Sequence, residues 1–237
     1  MKVMITGYGR MGKLIEKTLE DAGDTVVSRI DIDNASDLDT LGRIADIIID
    51  FSNPSLTDQL IAYADRTETP LLSGTTNMSA AQHEAMSRLA AKVPVIWASN
   101  YSLGINLFMH ILPQIAAALD GWDIEITEIH HNRKVDAPSG TAKSLADAID
   151  PDGKYERVDG RSGNCGARTK KEIGMHALRG GTVTGEHTVD FFGNDEVFEI
   201  THKAGSRQIL VDGAVNAARK LVNKEAGLYD METLLFG

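Results

Sequence analysis

The sequence predicts an α/β protein in which a parallel-sheet nucleotide domain is followed by an α+β domain built on a mixed sheet. Over the first hundred residues, short apolar runs alternate with segments of helical periodicity, which is typical of right-handed βαβ units. A glycine-rich turn, Gly7-x-Gly9-x-x-Gly12, joins the first apolar run to the first helical segment. Farther along, polar and apolar residues alternate with period two, as in half-buried strands of an antiparallel or mixed sheet.

The first half of the chain contains five predicted strands and three predicted helices. The first helix begins near Met11, and Gly23 is well placed to end it. Pro54 costs no hydrogen bond just inside the start of the second helix. Ser79 with Gln82 forms a capping-box pattern for a third helix, which reaches about residue 91. The predicted strands are the apolar runs 3–5, 26–30, 47–49, 71–72 and 95–97.

The pattern changes after about residue 102. Alternation is clearest over 182–191, where Val189 and Phe191 share one side and threonines and acids share the other. The glycine-rich stretch 159–166 predicts a mobile surface loop. The remaining predictions are helices over 104–119, 141–149 and 209–222 and strands over 123–130 and 197–201.

Length and charge limit the functions that are open to the chain. The 237 residues, at about 150 per domain, predict one large or two modest domains. A formal net charge of −10 argues against nucleic acid and against an anionic membrane surface as partners. No apolar run approaches the ~18 residues of a membrane span, and glycines come too early for a signal peptide. The single cysteine, Cys165, cannot form an intramolecular disulfide, so a cytoplasmic protein is expected.

The glycine turn predicts a dinucleotide site of the Rossmann type. Gly7 allows a tight turn, Gly9 lets the backbone approach a pyrophosphate, and Gly12 permits close packing of helix on strand. The helix N-terminus adds N–H donors. Asp31 ends the second predicted strand about 20 residues on, where a carboxylate accepts hydrogen bonds from ribose hydroxyls. The alternative is a glycine-rich turn with a surface aspartate.

The neighbours of Asp31 favour NAD over NADP. Its carboxylate repels a 2′-phosphate, and the next residue is Ile32 rather than a basic side chain. Arg10 and Arg29 are close in sequence and could restore phosphate binding. The predicted cofactor is therefore NADH or NADPH, with NADH slightly favoured.

Two further loops follow strands of the predicted parallel sheet, at the edge where such folds bind ligands. Each is a candidate to line the nicotinamide half of a cofactor site, with ordinary turn chemistry as an equal alternative. The loops contain Gly74, Thr75 and Thr76 after the fourth strand and Ser99, Asn100 and Tyr101 after the fifth.

The most informative segment, 128–142, reads Glu-Ile-His-His-Asn-Arg-Lys-Val-Asp-Ala-Pro-Ser-Gly-Thr-Ala. Two adjacent histidines, an arginine and a lysine converge at a strand end. Histidine and lysine can donate the proton that reduction of a polarised double bond needs. A Pro-Ser-Gly-Thr turn then opens a helix that either Ser139 or Thr141 can cap, and its N–H groups can bind a carboxylate. The segment predicts a site for a small dianion.

Other chemistries fit the sequence less well. The paired histidines lack helical spacing and Cys165 offers no ligand cluster, so no metal is expected. No Gly-x-Ser-x-Gly elbow supports a hydrolase. His187 and His202 are expected to pack within the sheet, and Cys165 is expected to be an inert thiol.

These motifs resemble the 4-hydroxy-tetrahydrodipicolinate reductase family, historically dihydrodipicolinate reductase, of the bacterial diaminopimelate route to lysine. The resemblance covers essentially the whole chain, and the His-His-x-x-Lys-x-Asp-Ala-Pro-Ser-Gly-Thr-Ala segment is its most specific part. Its other carriers are Gly9-Arg10-Met11-Gly12, Asp50-Phe51-Ser52, Gly74-Thr75-Thr76, Asn100-Tyr101-Ser102-x-Gly104-x-Asn106, Arg179-Gly180-Gly181, Gly185-Glu186-His187-Thr188 and Ile200-Thr201-His202-Lys203-Ala204-x-Ser206-Arg207.

The resemblance implies a role for each matching position. His130 would donate or accept a proton, and Lys134 would donate one. The residues that would bind the carboxylates of the substrate, or help to bind them, are His131, Ser139, Gly140, Thr141 and Arg207. The residues that would contact the cofactor are Gly7, Tyr8, Gly9, Arg10, Met11, Gly12, Asp31, Gly74, Thr75, Thr76, Ser99, Asn100 and Tyr101.

The resemblance also implies an organisation and a reaction. Residues 1–102 with 208–237 would form the dinucleotide-binding domain, and 103–207 a substrate-binding domain whose sheet joins a homotetramer. The domains would close about hinges near 101–104 and 205–210. Loss of the 4-hydroxyl of the dicarboxylate would give an unsaturated imine, which hydride from the cofactor and then a proton would reduce.

Cofactor preference and reaction class are the points at which the sequence leaves alternatives open. Related proteins more often have Gly-x-x-Gly-Arg-Met-Gly in the glycine loop, and the connection from the second strand to Asp50 is short here. Both departures concern the adenosine end of the cofactor site. The two alternative functions are a different Rossmann-type dehydrogenase and a non-catalytic NAD-sensing module.

Overall fold

Two sheets organise the computed structural model, which describes residues 1–237. One sheet belongs to a unit formed by Met1–Leu103 and Gln208–Gly237, and the other to a unit formed by Gly104–Arg207. The first sheet is entirely parallel and the second is mixed. The α/β fold class predicted from the sequence is therefore confirmed.

Eleven strands and seven α-helices make up the two units. The strands are β1 (Lys2–Thr6), β2 (Thr25–Ile30), β3 (Ile47–Asp50), β4 (Leu71–Ser73), β5 (Pro94–Trp97), β6 (Asp123–His130), β7 (Glu156–Asp159), β8 (Glu172–Arg179), β9 (Glu186–Phe192), β10 (Val197–Lys203) and β11 (Gly227–Tyr229). The helices are α1 (Arg10–Asp21), α2 (Pro54–Thr67), α3 (Ala80–Leu89), α4 (Leu103–Ala118), α5 (Gly140–Ile149), α6 (Gln208–Leu221) and α7 (Met231–Phe236), and a 3-10 helix spans Ile32–Asp39. None of the helices combines the length and apolarity that crossing a bilayer needs.

The parallel sheet has the strand order β11-β5-β4-β3-β1-β2 and is covered by helices on both faces. Ile5 on β1 belongs to a buried cluster that includes Ile15 of α1 and Val211 of α6. Met4, on the opposite face of the same strand, packs in a second cluster with Leu60 of α2. Because all strands run the same way, their carboxyl ends meet at one edge, where loops can form a ligand site.

The mixed sheet has the order β10-β9-β6-β8-β7. β6 and β7 each run parallel to β8, whereas β9 runs antiparallel to both β6 and β10. Ile126 on β6 and Val189 and Phe191 on β9 are fully buried, and they cluster with Leu112 of α4 and Leu145 of α5. The outer face of the sheet carries the threonines and acids of the predicted alternation.

The structure contains elements that the sequence pattern did not predict: the 3-10 helix, β7, β8, β11 and α7. β8 lacks alternation because Glu172 and Gly174 are buried along with its apolar residues. Glu172 forms an ion pair with Arg161, and a Cβ atom on Gly174 would collide with the carboxylate of Glu125. The strand predicted over 182–191 begins only at Glu186, because a turn at 181–182 and an irregular segment over 183–185 precede it.

Candidate active site

The glycine turn of the first unit connects β1 to α1. Gly7 has a φ of +82°, and a Cβ atom on it would lie 2.3 Å from the carbonyl oxygen of Phe51. A Cβ atom on Gly12 would lie 2.4 Å from the carbonyl oxygen of Gly7, so helix and turn pack closely. Nothing lies within 4 Å of the Cβ position of Gly9. The fold thus requires glycine at positions 7 and 12, whereas Gly9 has open space where a side chain would start.

The N-terminus of α1 is suited to a negatively charged group. Its N-cap, Gly9, supplies no side chain to cap the helix, and the first turn contains no acidic residue. The first N–H groups and the positive end of the helix dipole therefore retain their attraction for an anion. The open space at Gly9 and these donors fit the pyrophosphate of a dinucleotide.

Asp31 lies directly after β2, on the surface. Its carboxylate accepts a hydrogen bond from the backbone N–H of Tyr8 at 3.0 Å and from that of Ile32 at 2.9 Å. The backbone N–H of Asp31 donates to the side chain of Asn34 at 2.7 Å. These bonds fix the carboxylate beside the glycine turn, and a carboxylate has further acceptor capacity for ribose hydroxyls.

Arg29, two residues before Asp31, is held by α1. Its guanidinium donates to the carboxylate of Glu16, and this bond keeps the pKa of Glu16 below its usual range. The hydroxyl of Tyr8 donates to the same carboxylate, and Arg29 lies over the Tyr8 ring, 5.8 Å from its centroid. Arg10 is exposed. Of the two arginines near the predicted ribose site, Arg29 is therefore committed to an ion pair.

A buried carboxylate organises the strand ends of the parallel sheet. Asp50, the last residue of β3, is fully buried and accepts five hydrogen bonds. The donors are the hydroxyls of Thr6 (2.7 Å), Ser52 (2.5 Å), Ser73 (2.7 Å) and Thr75 (2.8 Å) and the backbone N–H of Ser52 (3.1 Å). Asp50 therefore joins the ends of β1, β3 and β4 to the loops that follow them.

The two predicted nicotinamide loops have buried and exposed parts. Thr75 is buried on Asp50, and the hydroxyl of the fully buried Tyr101 donates to the carbonyl oxygen of Ser73 at 2.7 Å. Burial raises the pKa of Tyr101 well above its usual range. Thr76 and Ser99 are exposed at the strand ends. The buried side chains hold the loops in place, so the surface that a ligand can reach is formed by the exposed residues and the backbone.

The second unit contains a buried charged network at the end of β6. Glu128, only 1% exposed, accepts hydrogen bonds from both terminal nitrogens of Arg179, at 2.8 and 2.7 Å. Its Oε2 atom lies 2.5 Å from Nδ1 of His130, and its Oε1 atom accepts the backbone N–H of Ser139 at 3.0 Å. Burial alone would raise the pKa of Glu128, but the bonds from these three residues outweigh it and lower the pKa.

Ser139 begins α5, and the structure selects it over Thr141 as the cap. Its hydroxyl accepts the backbone N–H of Ala142 at 3.2 Å and lies 3.1 Å from Nε2 of His187. His187 is buried, its Nδ1 has no hydrogen-bond partner, and burial lowers its pKa to about 4. The expected packing role of His187 within the sheet fits this environment. No acidic residue occupies the first turn of α5, so its N-terminus suits a carboxylate.

Positive charge collects in the segment that follows β6. Burial, followed by the charges of neighbours that include Arg133, Lys134 and Arg207, lowers the pKa of His131. Nδ1 of His131 accepts the backbone N–H of Arg133 at 3.2 Å, which leaves Nε2 as the hydrogen-bearing nitrogen. Lys134 forms an ion pair with Asp136 at 2.8 Å. The structure thus brings Arg207 into electrostatic range of the His131–Lys134 segment.

Some site residues were not singled out in the sequence analysis for the roles they have in the structure. Asp50 and Glu128 are the main ones, and both carried a usable signal. Asp50 ends a run of three isoleucines, and Glu128 stands in register with buried residues of the predicted 123–130 strand. Their partners could not be found this way, because Arg179 is 51 positions from Glu128. Nowhere in the chain do three or more His, Cys, Asp or Glu side chains group as metal ligands would.

Comparisons with known proteins point to one family for both halves of the chain. A family model described as dihydrodipicolinate reductase, N-terminus, matches residues 1–101, and one described as dihydrodipicolinate reductase, C-terminus, matches residues 104–235. The 4-hydroxy-tetrahydrodipicolinate reductases of Brachyspira hyodysenteriae and Akkermansia muciniphila are both 42% identical to the chain. Those alignments cover 99% of this chain and 100% and 98% of the two relatives.

A solved structure shares the fold. The dipicolinate-bound dihydrodipicolinate reductase from Paenisporosarcina sp. TG-14 matches with a TM-score of 0.76 at 22% identity. The match covers 100% of this chain and 99% of that chain. The same arrangement of elements therefore occurs in a protein whose sequence has diverged considerably.

Proposed function

The chain belongs to the dihydrodipicolinate reductase family, and we propose that His130 and Lys134 are the residues that handle the proton in its reaction. Its activity is the NAD(P)H-dependent reduction of 4-hydroxy-tetrahydrodipicolinate in lysine and diaminopimelate biosynthesis. The observation that carries this function is 42% identity to such reductases over 99% of the chain. The other two functions considered from the sequence, a different Rossmann-type dehydrogenase and a non-catalytic NAD-sensing module, have no comparable support.

In this proposal the first unit holds the cofactor along the carboxyl edge of its parallel sheet. The N-terminus of α1 at Gly9 receives the pyrophosphate, and Asp31 accepts the ribose hydroxyls. The exposed parts of loops 74–76 and 99–101 line the nicotinamide, which supplies hydride when bound. NADH is preferred, because Glu16 holds Arg29 away from a 2′-phosphate that the Asp31 carboxylate also repels.

The second unit binds the two carboxylates of the substrate. His131 donates from Nε2, since its Nδ1 already accepts a backbone N–H, and Arg207 contributes charge. The N-terminus of α5, at Gly140 and Thr141, binds a carboxylate through backbone N–H groups, and Ser139 holds that helix end. A dianion satisfies both the cationic segment and the helix end.

His130 and Lys134 supply the proton that completes the reduction. Reducing a polarised carbon–nitrogen or carbon–carbon double bond consumes one hydride and one proton. The ion pair with Asp136 positions the Lys134 ammonium, and the Glu128 carboxylate orients the His130 ring.

The roles are tested with a synthase that makes the substrate in situ, while nicotinamide absorbance reports turnover. His130→Ala and Lys134→Ala are expected to lower kcat at least 100-fold while NADH binding, measured by fluorescence titration, is retained. Lys143→Ala removes an exposed lysine from α5 and serves as the control with full activity. Near-normal kcat in both site variants would refute the assignment.

We also propose a homotetramer, joined through the sheets of the second units and working in the cytoplasm. The support is a pair of exposed apolar side chains, Phe192 on β9 and Val197 on β10, which oppose each other across the two strands on the outer face of the sheet. Light scattering after gel filtration is expected to give four chains for the wild type and fewer for Val197→Glu. A monomeric wild type would contradict the proposed assembly but would leave the proposed roles of His130 and Lys134 unaffected.

A further inference from the structure

The buried carboxylate of Glu128 makes polar contacts through both of its oxygens. Its two oxygens have four partner atoms within 3.0 Å, from Arg179, His130 and Ser139. The bidentate bond from Arg179 compensates for burying the carboxylate. The other two bonds lead in different directions, one to the ring of a proposed proton donor and one to the first turn of α5.

The bond to His130 determines which nitrogen of the ring can react. An ionised carboxylate only accepts hydrogen bonds, so Nδ1 of His130 carries a hydrogen and Nε2 is the nitrogen left for exchange. Nε2 lies 3.1 Å from the Cβ position of Gly185, so any larger residue there would crowd it. The His187 ring packs edge-on against the His130 ring, with 5.1 Å between centroids. The hydrogen bond to Glu128 and the contact with His187 therefore hold the ring on two sides, and Gly185 leaves room for it.

The bond to Ser139 fixes the end of α5. Glu128 accepts the backbone N–H of Ser139, whose hydroxyl in turn accepts the N–H of Ala142. A shift of Glu128 would therefore move the cap and the first N–H groups of the helix. The Glu128 carboxylate therefore holds both the ring of the proposed proton donor, His130, and the end of α5 that is proposed to bind a substrate carboxylate.

We propose that Glu128 is a positioning residue that fixes the Nδ1–H form of His130 and the N-cap of α5 while making no contact with substrate. The proposal rests on the roles proposed above for His130 and α5. It predicts that the charge of Glu128, rather than its volume alone, is needed for turnover. It also predicts a change in the His130 ring that can be seen without any turnover.

Glu128→Gln keeps the side-chain shape and removes the charge. We expect kcat to fall at least about 10-fold and at most about 10⁴-fold, the upper value being the loss when the orienting carboxylate of a catalytic triad is neutralised, with the KM for NADH changed by less than about threefold. With ¹⁵N-labelled histidine, NMR should show His130 as the Nδ1–H form in the wild type and as a mixture in the variant. The signal is identified by its loss in His130→Gln.

Glu125→Gln is the matched control. Glu125 lies on the same strand, on the opposite face, and like Glu128 it is bonded by arginine and histidine side chains: Arg161, Arg168 and His176. Its substitution should leave kcat within about twofold and the His130 spectrum unchanged. The control shows whether kcat falls when any charged network on β6 is disturbed or only when the network at His130 is disturbed.

Each outcome decides the proposal. Unchanged kcat in Glu128→Gln, or a loss of kcat with His130 still in the Nδ1–H form, overturns it. Should Glu128→Gln fail to fold, Glu128→Asp keeps the charge but withdraws it, and full kcat in that variant overturns the proposal. The proposed role of His130 is tested separately, since near-normal activity in His130→Ala would refute that role. The NMR measurement tests the effect of Glu128 on the His130 ring and does not depend on turnover.

Discussion

The carbonyl oxygen of Phe51 lies 2.3 Å from the point that a Cβ atom on Gly7 would occupy. Phe51 follows β3, and Gly7 follows β1, so at the first glycine of the turn the backbones that leave these two strands are in close contact. Gly9, two residues later, has empty space at the same position. A side chain at Gly7 would therefore disturb the fold, whereas a side chain at Gly9 would occupy the proposed ligand site.

Alanine at these two positions should separate stability from binding. Gly7→Ala would force a Cβ atom onto Phe51 at a positive φ, so we expect the free energy of unfolding in urea to fall by about 2–5 kcal/mol. Gly9→Ala should leave it within about 0.5 kcal/mol while raising the Kd for NADH at least about tenfold. Equal loss of stability in the two variants would contradict this division.

Asp50 should be needed for the stability of the first unit as well as for its ligand site. Asp50→Ala leaves four hydroxyl groups without their buried acceptor, and we expect it to lower the free energy of unfolding by about 3–5 kcal/mol. Asp58→Ala, which removes an exposed aspartate from α2, should cost no more than about 0.5 kcal/mol. Urea denaturation followed by circular dichroism measures both, and similar small values would rule out the role of Asp50.

The fold could be predicted where local pattern and burial agree. The strands of the parallel sheet are buried on both faces, so runs such as Ile47–Ile49 are visible as apolar segments. Alternation located β6 and β9 because each covers the core with one face only. β8 was missed because Glu172 is buried in it, and that burial depends on an ion pair with Arg161 from outside the strand. The burial of a polar residue in β8 thus depends on a side chain from another segment, and a local sequence pattern cannot show such a contact.

The candidate site divides in the same way. Turn geometry and helix caps depend on neighbours in sequence, so Gly7 and Asp31 could be placed from the sequence alone, and the cap of α5 could be limited to Ser139 or Thr141. The partners that come from other strands, Arg179 for Glu128 and Thr6 and Ser73 for Asp50, are joined to these carboxylates by no spacing rule. The commitment of Arg29 to Glu16 was equally invisible, since a sequence shows which cations are near a site but not which are already paired.

Releasing Arg29 should change cofactor preference. Glu16→Ala removes the carboxylate that holds the guanidinium, so Arg29 becomes available to a 2′-phosphate. We expect the ratio of kcat/KM for NADPH to that for NADH to rise about tenfold, which corresponds to ~1.4 kcal/mol from a charged hydrogen bond. Steady-state kinetics with both cofactors measure the ratio.

Two further variants check that Arg29 is the cause. Glu20→Ala removes an exposed carboxylate 3.9 Å from Arg29 but leaves the bond to Glu16, and its ratio should stay close to that of the wild type. Adding Arg29→Ala to Glu16→Ala should cancel the gain. A ratio that rises equally in Glu16→Ala and in the double variant would show that Arg29 is not responsible.

His187 should make the second unit sensitive to acid. Burial lowers its pKa to about 4 in the folded protein, whereas histidine in an unfolded chain titrates near 6.5. Between these values the unfolded chain binds a proton that the folded chain does not. The contribution of His187 to stability is therefore complete above about pH 6.5 and is lost as the pH falls toward 4, by up to about 3 kcal/mol.

His187→Gln tests this contribution because glutamine keeps a polar group beside Ser139 and does not titrate. Between pH 7 and pH 4.5 the free energy of unfolding of the wild type should fall more steeply than that of the variant, by about 2 kcal/mol over the range. From pH 7 to pH 8.5 the two proteins should change in parallel, since neutral His187 is then common to both states. Urea denaturation at fixed ionic strength measures the slopes. Parallel slopes in acid would mean that the buried ring is protonated without cost, which its lack of a partner at Nδ1 argues against.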